Sequence, residues 1–116
     1  MEAQSQAQLL RIFIGESDKI GHLPLYEMIV REAKTAGLAG ATAWRGMMGF
    51  GPSTRIRTTK ILDLSADLPI ILEITDEESK IAAFLPVVDR LFEESKCGGL
   101  ITLEKVQIIR YTHGQR

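Results

Sequence analysis

Cysteine and histidine are scarce in this sequence of 116 residues: one thiol, Cys97, and two imidazoles, His22 and His113. A lone cysteine excludes an internal disulfide and a cysteine-rich zinc site, and fits the reducing cytoplasm. Neither histidine has a serine, cysteine and carboxylate set nearby in sequence that suggests a nucleophile with its base, so no catalytic residue and no metal ligand is assigned. Aromatic residues make up 6% of the chain, too few to interleave with cations as single-strand binders require, and nucleic acid is not an expected partner. Long apolar runs are missing too. None approaches the roughly 18 residues that a membrane span needs, and the start, MEAQSQAQ, lacks the cationic and apolar regions of a secretory signal. The expectation is a soluble, cytoplasmic protein of one domain, residues 1–116, with a polar tail at 1–8.

Net charge is also small, −1 at neutral pH, which gives no overall field for adsorption to polyanions or membranes. Its distribution is uneven. No acidic residue lies between Glu32 and Asp63, while Lys34, Arg45, Arg55, Arg57 and Lys60 fall in that stretch, so one lobe is expected to be locally positive and to attract anions.

What is present is a regular alternation of periods. In LLRIFIGES, Leu10, Ile12 and Ile14 oppose Leu9, Arg11 and Phe13, the two-residue period of a strand ending at Gly15. Leu25, Met28, Ile29, Ala33 and Ala36 then recur at helical spacing, with Pro24 in the first turn and Gly37 just past the end. GATAWRG reads as a second strand. In LPIILEITD, Ile70, Leu72 and Ile74 oppose Ile71, Glu73 and Thr75. A second helix follows with Ile81, Phe84, Leu85, Val88, Leu91 and Phe92 on one stripe; Asp76 or Thr75 is placed to cap its start, and Pro86 predicts a kink or restart. The last strand lies in GLITLEKVQIIRY. Strand, helix, strand, long loop, strand, helix, strand is the α+β ferredoxin-like split βαβ sandwich, an antiparallel four-stranded sheet with both helices on one face. The other face, with Leu9, Arg11, Phe13, Ile71 and Glu73, is too apolar for water and too charged for a core, so subunits are expected to cover it.

The long loop, about 47–67, is where function is sought, because irregular connections of this length are uncommon in compact domains. It opens with RGMMGFG and continues with further cations. Glycines allow unusual backbone angles and let consecutive N–H groups converge on an anion. Arg45, Arg55 and Arg57 add guanidinium forks suited to phosphate. Spacing alone fits a solvated linker equally well. A chain this small also leaves little room for a deep cleft.

LRIFIGESDK, PLYEMIVREAKTAGLAGATAWRGMMGFG and LSADLPIILEITDEESKI together resemble the uncharacterised PII-like family, domain of unknown function 190, related to the PII nitrogen-signalling proteins. The resemblance runs from about Leu9 to Tyr111. It implies a homotrimer with sheets facing inward, a T-loop between the second and third strands that docks on a target protein, and an adenine nucleotide as effector in clefts between subunits. No cofactor is required; a membrane transporter is one class of target. Carried over by position, Thr42, Gly46, Gly49, Phe50 and Gly51 fall at the nucleotide junction, Glu73 on a carboxylate that reads the adenine edge, and Arg110 on a phosphate or ribose contact. In place of the PII glycine-rich B-loop and its lysine, ESKCGGLITL has only Gly98 and Gly99, with Lys96 ahead of them, which weakens the implied triphosphate affinity. Where many members carry a histidine after GFG this chain has Arg57, which weakens a metal role. Two other functions stay open: a divalent-metal or ion-tolerance protein like the CutA relatives, and a nucleotide hydrolase in which Glu73 or Asp63 activates water.

Overall fold

The computed structural model describes residues 6–52, 57–58 and 67–115. Strand β1 (Gln6–Gly15) is followed by the short β2 (Lys19–Ile20) and β3 (Leu23–Pro24), helix α1 (Leu25–Thr35), β4 (Thr42–Arg45), the short β5 (Met48–Gly49) and β6 (Arg57–Thr58), β7 (Pro69–Glu77), α2 (Glu78–Ser95) and β8 (Leu100–Gln107). Four strands form one antiparallel sheet in the order β4-β7-β1-β8, the ferredoxin-like arrangement. The ribbon of β2 with β3 and that of β5 with β6 stand apart from it.

Alternation decides which side chains meet the helices. Leu10, Ile12 and Ile14 of β1 and Ile70, Leu72 and Ile74 of β7 are buried, and they cluster with Leu25, Ile29 and Ala33 of α1 and Ile81, Phe84, Val88 and Leu91 of α2. Cross-strand partners point to the same side, so the pairs Leu9↔Thr75, Arg11↔Glu73 and Phe13↔Ile71 belong to the opposite, outer face. Thr102 and Glu104 of β8 and Thr42 and Trp44 of β4 join them by register.

Several local expectations are corrected. β1 starts at Gln6, inside the supposed polar tail, because Gln6 and Ala7 find partners on β8 and β7. β8 stops at Gln107 rather than reaching Tyr111. Ala36 is exposed and does not join the buried stripe of α1. Asp76 does not cap α2: it lies in β7, almost fully buried at 2% exposure, where its carboxylate accepts the N–H of Ala39 (2.8 Å) and that of Glu77 (2.7 Å). Helix α2 has no side-chain cap. It also does not restart at Pro86 but runs unbroken from Glu78 to Ser95. Proline removes the bond to the carbonyl of Ala82, and both residues lie on the exposed side of the helix, where solvent offsets the loss. The helix ends on Lys96 in a left-handed conformation (φ 57°), its N–H bonded to the Phe92 carbonyl.

Candidate functional site

A cleft of about 510 Å³ opens at one end of the sheet. Its walls come from four places: Phe13, Ile14, Gly15 and Asp18 at the end of β1 and after it; Gly46, Met48, Gly49, Phe50, Gly51 and Pro52 around β5; Asp67, Pro69 and Ile71 at the start of β7; and Gly98 and Leu100 before and within β8. The antiparallel order puts these ends together, since β1 finishes where β7 and β8 begin. A chain this size therefore holds a larger cleft than its length suggests.

Two of the glycines make room for a neighbouring ring. A Cβ on Gly46 would come within 3.3 Å of the Pro69 ring, and one on Gly49 within 3.1 Å, so these positions let the chain fold down on Pro69. The Gly46 N–H is donated to the Pro69 carbonyl (2.7 Å). None of Gly46, Gly49, Gly51, Gly98 and Gly99 has positive φ, so the unusual backbone angles expected of an anion nest do not occur there. Gly99 is fixed more strongly still: a Cβ would lie 2.7 Å from the Phe92 ring and 2.8 Å from the Phe13 carbonyl oxygen.

Of the residues singled out by sequence, Gly46, Gly49, Phe50, Gly51 and Gly98 line the cleft. Thr42, Arg45, Glu73, Gly99 and Arg110 do not. Arg45 is paired with Glu16 (3.0 Å). Glu73 sits on the outer sheet face, where one carboxylate oxygen accepts from Arg11 Nε (2.9 Å) and the other from Trp44 Nε1 (3.1 Å). Arg11 also bonds Glu104. The guanidinium pKa is pushed up, first by the hydrogen bond to Glu73 and against the opposing effect of desolvation, with Glu104 adding to the rise. Arg110 follows the end of β8 and is exposed. Arg55, Lys60, Leu62, Asp63 and Leu64 lie outside the described residues, as does the side chain of Arg57.

Sequence reasoning missed Phe13, Asp18, Asp67, Pro69, Ile71 and Leu100. The first and the last three come from strands already recognised; the split βαβ order predicts that their ends meet, and only the exact register was missing. The two aspartates hold the turn after β1: Asp18 accepts the Gly15 N–H (2.9 Å) and Asp67 the Ser17 N–H (2.7 Å). The described wall is therefore mainly apolar, with two carboxylates and no arginine or lysine; the side chains of the loop cations expected there, Arg55, Arg57 and Lys60, lie outside the described residues. Met48 and Phe50 stand at its mouth, 62% and 70% exposed. No group of three or more His, Cys, Asp or Glu side chains converges as a metal site among the described residues, and no described helix is long and apolar enough to cross a membrane.

The sequence profile of the DUF190 family (Uncharacterized ACR) matches residues 7–108. A UPF0166 protein of Aquifex aeolicus is 41% identical over 102 residues, covering 88% of this chain and 92% of its own. A UPF0166 protein of Methanocaldococcus jannaschii is 32% identical over 105 residues, covering 90% and 94%. Among solved structures, a nitrogen regulatory PII-like protein from Thiomonas intermedia K12, bound to ADP, AMP and bicarbonate, is similar in fold with a TM-score of 0.68 over 90% of both chains at 18% identity.

Proposed function

Since the chain belongs to the DUF190 family and has a PII-like fold, we propose that it is a trimeric regulator that binds an adenine nucleotide at the base of the 46–52 segment and acts on a target protein through the loop that follows. The observation that carries the proposal is the cleft itself, built from the loop base and the ends of three strands. Whatever fills it contacts the start of the loop and the sheet together, so occupancy favours one loop arrangement by the difference in affinity between arrangements.

The apolar wall of Phe13, Pro69, Ile71, Leu100 and Phe50 suits the ring of a nucleotide. Glycines at 46, 49, 51 and 98 keep that wall low. Arg45 lies next to Gly46 and reaches phosphate only by leaving Glu16; the other cations of the loop supply further charge. The trimer is supported by the outer face. Leu9, Phe13, Ile71 and Trp44 surround the Arg11–Glu73–Glu104 cluster there, an apolar surface that a monomer rarely leaves in water. The reading is of a binding protein without turnover, working in the cytoplasm.

Titration calorimetry with ADP, AMP and ATP on the native oligomer tests this. Saturable heat is expected, with affinity reduced about tenfold by Phe50→Ala, an exposed residue whose removal leaves the core intact. Heat from none of the three nucleotides counts against the ligand assignment.

A further inference from the structure

Beyond the strands, residues 108–115 run without regular structure, and one hydrogen bond is described for them: Tyr111 Oη donates to the Ala39 carbonyl at 3.0 Å, across 72 positions of sequence. β8 is one edge of the sheet and β4 the other, with β7 and β1 between them. The tail leaves Gln107, which pairs with Gln6, and arrives beside Asp76, which holds the Ala39 N–H. Two to three strand spacings, roughly 10–14 Å, separate the start and finish, while four residues span at most about 14 Å. The tyrosine side chain adds to that reach, so the tail and its phenol together bridge from β8 to the residue ahead of β4 without full extension.

Its point of attachment is where an exposed strand is most easily loosened. Within one subunit all four residues of β4 are exposed, among the described residues the strand pairs only with β7, and it leads directly to Gly46 and the cleft. Upstream, Ala39 is gripped from both sides, by the buried Asp76 carboxylate at its N–H and by Tyr111 at its carbonyl. Nearby Ile109 makes no such tie and is 71% exposed. His113 meets the Tyr111 ring edge-on, centroids 5.1 Å apart, which helps to orient the phenol.

We propose that the C-terminal segment is a releasable strap, with Tyr111 as its catch, that steadies the approach to β4 and so couples the end of the chain to the strand that carries the cleft and loop. A partner or ligand that draws the tail away frees β4. The hydrogen bond itself is present without any occupant in the cleft, so the strap can be tested on the free protein.

Hydrogen exchange by mass spectrometry on the full chain without ligand tests it. Tyr111→Phe removes one hydrogen bond and is expected to speed exchange of amides in 42–46 by about three- to tenfold, leaving the centres of β1 and β7 unchanged. Ile109→Ala, in the same tail, is expected to leave 42–46 as in the wild type. Wild-type exchange across 42–46 in Tyr111→Phe overturns the strap, and so does equal acceleration by Ile109→Ala. Because no nucleotide is present, failure here is distinct from failure of the ligand assignment.

Discussion

Strands β1 and β7 feed two faces of the sheet from alternate residues, and the two faces are completed differently. Toward the helices, Leu10, Ile12, Leu72 and Ile74 meet Phe84, Ile81 and Ile29, and all are at most 1% exposed. Toward the other side, Phe13 and Ile71 are just as apolar but only half-buried, and between them and Leu9 runs the chain of polar contacts Trp44–Glu73–Arg11–Glu104. The inner face closes within one chain. The outer one has charges satisfied internally and hydrocarbon still in contact with water. Two carboxylates to one guanidinium leave it with surplus negative charge, which sets a preference for what covers it without supplying much energy while solvent screens the cluster.

The comparison breaks if the faces respond alike to mutation. The largest effect is expected from Phe84→Ala, which empties the centre of the helix-covered core: loss of about 3–5 kcal/mol in urea denaturation, with no ligand needed to reveal it. A second, smaller loss is expected from Gly99→Ala. The new methyl meets the Phe92 ring and the backbone of β1, and neither can retreat far, giving roughly 1–3 kcal/mol of overpacking in the same assay. On the outer face, Ile71→Arg is expected to cost the individual fold least, roughly 0.5 kcal/mol or less as for a surface change, while light scattering shows the mass falling from three chains to one and circular dichroism keeps its helical signal. Unchanged mass in that variant removes the argument that subunits meet there; a loss of stability as large as that of Phe84→Ala in a chain that is monomeric to begin with removes the distinction between the faces.

Much of the fold was legible in sequence because period is a local property. The alternation in LLRIFIG and LPIILEITD identified the buried set on both strands, and Pro24 with Gly37 bracketed α1. Local signals misled where long-range partners intervened. Gln6–Gln8 looks like a solvated tail but pairs with β8 from Gln6 and with β7 from Ala7, and Asp76 looks like a cap but reaches back to Ala39. Pro86 looked disruptive until its place on the exposed side of α2 made the missing bond harmless.

The site was less legible. Its glycines stood out, yet at 46 and 49 their role is clearance for Pro69, a neighbour twenty or more positions away. Nothing in the sequence tells that Arg45 pairs with Glu16, or that Arg11 and Trp44 engage both oxygens of Glu73, the carboxylate expected to read an adenine edge.

The sequence by itself determined the four main strands and two helices, the side of β1 and β7 that faces the helices, and the family to which the chain is similar, because these follow from short-range periodicity and linear motifs. Tertiary structure alone decided which strand ends enclose the cleft, which charges are already paired and where the tail is fastened. Those depend on contacts between residues tens of positions apart, whose geometry is set only when the sheet assembles around its core.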